Sequence, residues 1–544
     1  MSETASTRLA TATQTARAFL RSRLAMDTRS LAVFRVMLGL LIIGDVLARS
    51  RNFHFYYTDD GVVTQELAEW WTGEAFSFFY YTSDPTIIGA LFVTHAFVAF
   101  LLVVGYKTRL VTILSFLFVI SLDHHNPLVL SYADTLFRLL FFWAIFLPLG
   151  ERWSVDAVHR DRSPRTVFVG LAGLFAMVQM IKMYVINGIH KFPSDLWQTG
   201  EGTPKVMGID EMTYFLGDTL RQVPFLLEIG GQLWFYLLLS SPFLLLLAGR
   251  WRLPFVALLM GGHASFAISV RIGAFAYVAL AGLLLFVQTP FWEDGKALLG
   301  RLGVDTSRLV PSKRRQQQLV RPFPGYTLDS VRNRHRKADL YNTALGLVTI
   351  GIVVTLAAIV LSFGGVIHDD IPDDEFRIDY TIENTAGAQQ VDTVANHFNI
   401  DQPVWSIFAG PDPRTSDRYY VFPAKTEDGE HLDIYFDRNL SYDRPYQELQ
   451  RQHETYRMRF YMNSIRRASS HNQAPDLLVD HLCEEWAEEH DTNLTHINMY
   501  TVREEITRET IDDPENRDRS IHELHKFTCT DTEIPRNFAP PPDE

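Results

Sequence analysis

Long apolar stretches separated by short polar loops dominate the first two thirds of the chain. A helix that spans a membrane needs about 20 mostly apolar residues. This pattern predicts an all-α polytopic membrane domain, preceded by a cytoplasmic segment at 1–30 and interrupted by a basic cytoplasmic loop at 291–339. About nine stretches reach or approach the required length: 31–48, 86–105, 110–122, 133–149, 166–187, 224–248, 253–270, 272–290 and 340–364.

The last third of the chain has a different pattern. In residues 365–544, short strand-like runs at 431–436 and 496–502 alternate with polar helical segments at 446–467 and 474–490. Alternation of this kind is typical of a small α+β domain rather than of further spanning helices.

The basic residues between the stretches indicate the orientation. If the N-terminus is inside, the inner segments hold 24 Lys and Arg residues and the outer segments hold 6. Cytoplasmic loops of membrane proteins carry such an excess of positive charge. With nine spans, the sequence therefore predicts a multi-pass protein of the cell membrane with an extracytoplasmic domain at 365–544.

The charge of this last domain is strongly negative. Residues 366–544 carry 38 acidic and 17 basic side chains, a formal charge of −21, and the whole chain has 41 Arg against 9 Lys. A charged, acidic surface of this kind is typical of halophilic proteins, here those of a halophilic archaeon. The alternative explanation for the excess of Arg is GC-rich codon usage.

Both cysteines of the chain, Cys483 and Cys529, lie in the acidic domain. In an oxidising compartment they are candidates for a disulfide. Free thiols are one alternative. Another is a metal site with nearby histidines, although their spacing matches no familiar zinc pattern, and we predict no metal.

Charged side chains inside apolar stretches are costly in a membrane, so each one is a candidate functional group. Asp134 and Arg138 are four positions apart, which places them on one helix face as a candidate ion pair. The alternative is a structural polar bridge between helices. The stretches contain these five intramembrane residues: Arg35, Asp45, Asp134, Arg138 and Lys182.

The fifth stretch ends in Asn187-Gly-Ile-His-Lys191, followed by Phe192-Pro193. A lysine amine beside an apolar wall is desolvated, which favours its neutral form and lets it act as a base near neutral pH. His190 is a candidate proton relay beside it. The alternative is a lysine that anchors the helix end at the membrane interface.

An aromatic-rich segment at 53–81 is typical of a membrane interface and is also a candidate wall for an isoprenoid or quinone pocket. The sequence contains no phosphate-binding loop, dinucleotide fingerprint or HExxH motif. We therefore expect a membrane and a lipid-soluble molecule or an extracytoplasmic protein as partners, and no nucleic acid.

Several motifs, in this order, resemble the HTTM superfamily, which includes the membrane domain of vitamin K-dependent γ-carboxylases. The similarity covers about residues 28–290 well and the last domain weakly. The matching segments are Leu31-Ala-Val-Phe-Arg-Val-Met-Leu-Gly39, Leu147-Pro-Leu-Gly-Glu-Arg-Trp-Ser-Val-Asp156, Asn187-Gly-Ile-His-Lys191, His263-Ala-Ser-Phe-Ala-Ile-Ser-Val-Arg-Ile-Gly-Ala-Phe-Ala-Tyr277 and Trp405-Ser-Ile-Phe408.

The resemblance implies particular chemistry. In the carboxylases a lysine deprotonates a reduced quinone, and the strong base formed after oxygenation removes a glutamate γ-proton so that CO2 can add. By resemblance, Lys191 is the base, His263 lies near the site, and a quinone or hydroquinone is the expected cofactor. One departure stands out: where the carboxylases have an Asn-Asn-His run, this chain has Ala133-Asp134.

Two classes of function remain open. The first is a membrane enzyme at the outer face, carboxylase-like (a lyase) or with a related lipid- or quinone-dependent activity. The second is a non-catalytic surface protein whose acidic outer domain binds a partner while the helices anchor it. Nine spans exceed what anchoring requires, which favours the first class.

Overall fold

The structure, a computed structural model, describes residues 14–73, 75–160, 162–304, 405, 412–469 and 472–530. The predicted last transmembrane helix at 340–364 and most of the predicted basic loop lie outside these residues. So does the first part of the predicted outer domain, apart from Trp405.

The N-terminal half is mostly helical. Short helices at Phe53–Tyr57, Gln65–Thr72, Val155–Val158 and Phe243–Leu246 connect longer ones. The helices used below are α1 (Thr28–Arg49), α2 (Pro85–Val104), α3 (Thr108–His125), α4 (Tyr132–Ala144), α5 (Leu171–Lys191), α6 (Asp195–Thr199), α7 (Gly202–Met207), α8 (Leu216–Leu220), α9 (Pro224–Leu239), α10 (Leu253–Ser269), α11 (Phe275–Leu283) and α12 (Thr289–Arg301).

Local sequence sets the ends of these helices. The carboxylate of Asp84 accepts the N–H groups of Thr86 and Ile87 at the start of α2, and Pro85 occupies the first turn. The helix ends at Gly105, whose φ of 71° is left-handed and whose missing Cβ would lie 2.4 Å from Ser154 Cβ. A glycine is therefore required at this turn.

The described residues contain three helices long and apolar enough to span a membrane, at Thr28–Tyr57, Pro85–Val104 and Leu171–Lys191. A bent pair, Phe275–Phe286 with Thr289–Arg301, could count as a fourth span. The prediction of nine spans is therefore not confirmed. Apolar runs overstate helix length because turns interrupt them, as Pro242 does in the run at 224–248.

The C-terminal domain contains an antiparallel sheet, in agreement with the predicted α+β pattern. Its central strand β7 is paired along one edge by β8 and along the other by β3 and β4, and β5 and β6 extend the sheet beyond β4. A separate short pair, β1 (Met26–Asp27) with β2 (Val167–Phe168), lies in the N-terminal half. The strands of the domain are β3 (Ser416–Val421), β4 (Pro423–Thr426), β5 (His431–Asp433), β6 (Arg438–Asn439), β7 (Leu494–Glu505) and β8 (Arg519–Thr528).

Two helices accompany the sheet, α13 (Tyr456–Arg467) and α14 (Ala474–Glu489). Cys483 in α14 is joined by a disulfide to Cys529, just after β8, with their Cα atoms 5.8 Å apart. The bond ties the helix to the edge of the sheet, and it takes up both cysteines that we considered as free thiols or metal ligands.

The two halves of the chain are packed together through α13. Its Ser464 hydroxyl donates to the carbonyl of Leu128 at 2.8 Å, and Tyr461 packs edge-on against Tyr56. Buried residues of both halves belong to one continuous hydrophobic core. The C-terminal domain is therefore seated directly on one end of the helical bundle.

Candidate functional site

A cavity of about 300 Å³ lies between α5, α9, α10 and α11, at the end of the bundle nearest the C-terminal domain. Most of its lining is apolar, and a few polar side chains converge on it. Such a pocket is the usual form of a small-molecule site. The principal polar lining residues are Tyr184, Asn187, Lys191 and His263.

Three of these polar residues come from one face of α5. Tyr184, Asn187 and Lys191 are spaced by three and four positions, and this spacing aligns side chains along a helix. Gly188 lets α9 approach α5 closely, because a Cβ at that position would lie 3.0 Å from Leu239. Helix packing therefore creates the cavity wall and presents the polar face of α5 to it.

Lys191 is the last residue of α5 and is 3% exposed. Its Nζ lies 4.4 Å from the centre of the Trp197 ring, a distance typical of a cation–π contact. The amine is thus shielded from solvent, lies at the wall of the cavity and faces an aromatic ring. Burial disfavours the charged form of this amine, whereas the ring face favours it, so burial is the feature that suits a base.

His263 reaches the same cavity from α10. Its Nε2 is 2.9 Å from the hydroxyl of Tyr184, and Trp234 packs edge-on against its ring. Among the described residues, its Nδ1 has no hydrogen-bond partner. Gly262 makes this arrangement possible, because a Cβ there would lie 2.3 Å from the Trp234 ring.

Helices α9 and α10 contact each other beside the cavity where Trp234 packs on Gly262, and the cavity lining includes Gly230, Gly231 and Gly262. The outer surface of α9 is apolar there: Leu226 is 56% exposed and Ile229 is 50% exposed.

The segment 195–217 forms a roof between the cavity and the C-terminal domain. Trp197, Thr203 and Met207 of this segment line the cavity. The Thr203 side chain rests on the backbone of α9, where a Cβ at Gly231 would lie 1.9 Å from Thr203 Oγ1. Trp197 and Met207 also belong to a small buried cluster with Ile506 of the C-terminal domain.

Buried charges hold this roof to the C-terminal domain. The Asp417 carboxylate accepts the backbone N–H groups of Asp210 and Glu211 at 2.8 and 3.1 Å. Asp210 also forms ion pairs with Arg221 and with Arg444 of the C-terminal domain. The position of the roof therefore depends on residues more than 200 positions further along the chain.

Glu211 forms the second ionic contact of the roof, with Arg414 at 2.5 Å and Arg459 at 3.4 Å. Burial by itself would raise the pKa of Glu211. The two guanidinium groups outweigh burial and lower that pKa to about 2. The ionised carboxylate is thus an integral part of the contact.

Comparison with protein families matches residues 24–292 to the HTTM domain. This part of the chain belongs to the HTTM family. The resemblance seen in the motifs is thereby confirmed. Curated proteins and solved structures gave no significant match.

Two of the HTTM motifs are joined by one arginine. Arg35, in the first motif, is fully buried and donates to the carbonyls of Leu149, Arg152 and Trp153, in the second. It donates to the carbonyl of Val103 as well. This residue therefore fastens the turn after α4 to α1, and its contacts account for an arginine inside an apolar helix.

Three more of the charged residues predicted inside the HTTM domain, Asp45, Asp134 and Arg138, form ion pairs away from the cavity. Asp45 and Asp134 both bind Arg457 of α13, at 2.6 and 2.7 Å. Arg138 lies 3.5 Å from Asp123. These residues therefore lie at the contact between the two halves of the chain. None of them lines the described cavity.

The remaining predicted residues have distinct places. His190 is buried on α5 but does not line the described cavity, and the aromatic segment 53–81 does not line it either. Lys182 is partly exposed on the same helix. The sequence analysis did not single out Tyr184 and Trp197. The three- and four-residue spacing on α5 was a signal that could have identified Tyr184. Trp197 lies at the cavity only because the roof segment folds over it.

Proposed function

We propose that the HTTM domain is the catalytic part of a membrane enzyme that removes a proton from a lipid-soluble molecule bound in this cavity. The observation that carries the proposal is that Lys191 and His263, matched independently to family motifs, line one apolar cavity from two helices. Lys191 is the base, and the Tyr184–His263 pair beside it is the polar group that orients the reacting end.

A hydroquinone fits the residues present. The cavity has about 300 Å³ of space, mainly apolar walls and a buried amine beside Trp197. When bound, such a molecule would supply an acidic hydroxyl, whose proton Lys191 accepts. Lys191 and His263 would hold the polar end, and the walls of α9 and α10 would hold the ring or chain.

The residues at the cavity support proton removal and no later step. The position at which the carboxylases have Asn-Asn-His is Ala133-Asp134 here, and Asp134 is engaged by Arg457 outside the cavity. A carboxylase-like reaction, with a lyase assignment, would need a substitute for that histidine. The non-catalytic alternative is less well supported, because a simple anchor has no need for a buried amine at a cavity wall.

We place the protein in the cell membrane with its N-terminus in the cytoplasm and its C-terminal domain outside. The bias of basic residues toward the inner segments supports this orientation. The disulfide between Cys483 and Cys529 supports it as well, because disulfides persist outside the cytosol. The cavity then opens near the outer face.

The test of function uses a deletion strain with a measurable phenotype. We expect wild type to rescue it, and Lys191→Arg and Lys191→Ala to fail at normal protein level. An arginine keeps the positive charge but remains protonated at any working pH. Lys205→Arg, a nearby lysine in α7 that does not line the cavity, is the matched control and should rescue. Full rescue by Lys191→Arg would remove the base assignment.

The bound molecule is tested separately. Lipids extracted from the purified protein should contain a quinone or polyprenyl species. This species should be depleted by Gly230→Leu, a change at a lining position where a Cβ meets nothing within 4 Å. Recovery of bulk lipid alone from wild type would contradict a lipid-soluble substrate in this cavity.

A further inference from the structure

We propose that α12 lies in the membrane interface at the end of the bundle opposite the C-terminal domain, and that it binds an anionic lipid surface there. The inference does not depend on catalysis. It rests on the direction of the helix, its exposed apolar face and the charges around it.

The direction of α12 is fixed by a sharp bend. The helical segment 275–286 and α12 form an angle of 96°. The Gln288 side chain at the break donates to the carbonyls of Ser22 and Ala25, both at 2.9 Å, and accepts the N–H of Gly249. If the first segment crosses the membrane, α12 lies close to the membrane plane.

One face of α12 is apolar and uncovered. Phe291, Leu298 and Leu302 are separated by seven and four residues, so they point in one direction, and they are 49%, 57% and 69% exposed. Glu293 and Lys296 lie on the opposite face. No residue of α12 is buried in the described part of the chain. An amphipathic helix of this kind inserts its apolar face at the boundary between headgroups and acyl chains.

Tryptophan side chains lie beside α12 at the same end of the bundle. The Trp292 Nε1 donates to Ser30 Oγ at 2.9 Å and holds α12 against α1. Trp153 packs edge-on against Trp292, and Trp251 nearby in the turn before α10 is 83% exposed. Tryptophan is enriched at the membrane–water interface because its ring is apolar and its N–H is polar.

The charges favour an anionic partner. The two acids of α12 pair with arginines of the bundle: Glu293 with Arg29 at 3.0 Å and Asp294 with Arg250 at 2.7 Å, while Arg29 also binds Asp27 at 2.8 Å. With Lys296 and Arg301, this group has four basic and three acidic side chains, a formal charge of +1. Anionic headgroups complement this net positive charge.

Spin labels on single cysteines test the position of α12 in the full chain. Both native cysteines are in a disulfide, so Leu298→Cys and Lys296→Cys can each be labelled selectively. In nanodiscs containing phosphatidylglycerol we expect the label at 298 to be accessible to oxygen and shielded from a nickel chelate, and the label at 296 to show the opposite. Equal exposure of both to the chelate would overturn the interfacial position. Shielding of the 298 label from both reagents would also overturn it, because protein would then cover that face.

Lipid retention tests the anionic preference. Protein purified from a mixture of phosphatidylglycerol and phosphatidylcholine should retain the former in excess. In the Lys296→Gln/Arg301→Gln variant, the ratio of retained phosphatidylglycerol to phosphatidylcholine should fall by on the order of 30-fold. Lys205→Gln, a change of charge in α7 near the cavity, should not alter it. An unchanged lipid ratio in the double variant would overturn the charge-based recognition.

Discussion

The guanidinium of Arg457 lies 2.7 Å from the carboxylate of Asp134, although the two residues are 323 positions apart. Arg457 belongs to the C-terminal domain and Asp134 to the HTTM domain. The same guanidinium binds Asp45 at 2.6 Å. Without Arg457, the carboxylates of Asp45, Asp123 and Asp134 would have, among the described residues, two arginines of the bundle beside them, Arg49 and Arg138.

We predict that Arg457→Gln destabilises the protein by about 3–5 kcal/mol, because breaking a buried ion pair leaves charge without compensation. Adding Asp134→Asn should restore part of this loss. Arg451→Gln, in an exposed pair with Glu448, should cost no more than about 1 kcal/mol. The measurement is the free energy of unfolding in detergent, and equal effects of the 457 and 451 variants would contradict the prediction.

Loosening the roof should open the cavity. Ser265 lines the cavity, and Ser265→Cys introduces a single free thiol there. We expect slow modification by a charged, membrane-impermeant thiol reagent, and about tenfold faster modification when Arg444→Gln weakens the contact with Asp210 by about 1.4 kcal/mol. Arg438→Gln, whose partner Asp433 is in the same domain, is the control. Identical rates in all three proteins would show that the roof does not depend on Arg444.

Acid should weaken the contact between the roof and the C-terminal domain through Glu211. Its pKa is lowered to about 2 in the folded protein, from an ordinary value of 4.5. The contribution of Glu211 to the free energy of unfolding is therefore complete above about pH 4.5 and is lost as the pH falls toward 2. The shift corresponds to a contribution on the order of 3 kcal/mol.

The measurement for Glu211 is the difference in unfolding free energy between wild type and Glu211→Gln. It should be largest near neutral pH and should shrink below about pH 4.5. A difference that stays constant between pH 7 and pH 3 would mean that ionisation of Glu211 does not stabilise the contact.

The disulfide should stabilise the C-terminal domain. The bond closes a separation of 46 residues, for which the chain-entropy model gives about 4 kcal/mol. We expect Cys483→Ser to lower the free energy of unfolding by about this amount, and Cys483→Ser/Cys529→Ser to lower it equally.

The disulfide also allows a test of the compartment. In intact cells, both cysteines should react with an impermeant maleimide only after reduction. Reaction without a reductant would contradict an oxidised, extracytoplasmic domain.

The acidic composition predicts a dependence on salt. Because residues 366–544 carry a formal charge of −21, repulsion should weaken the folded state when ions do not screen it. The melting temperature of the full protein should rise strongly between low and molar KCl. A melting temperature that does not respond to KCl would remove the argument for a halophilic origin.

The sequence by itself located the longer helices of the N-terminal half, the family motifs and the lysine at the end of α5. These features are local: apolar runs, a capping aspartate such as Asp84 and a terminating glycine such as Gly105 act over a few residues. Even the polar face of the cavity follows from helical spacing, since Tyr184, Asn187 and Lys191 must share one side of α5.

The tertiary structure decided which partners the buried groups have. Helical spacing made Asp134 and Arg138 a candidate pair, yet Asp134 binds Arg457 and Arg138 lies beside Asp123. The two terminal nitrogens of the Arg35 guanidinium donate to backbone carbonyls, which have no signature in the sequence. Long-range contacts of this kind form because a buried charge takes whichever partner the packed helices bring within reach, and that distance is set by the whole fold.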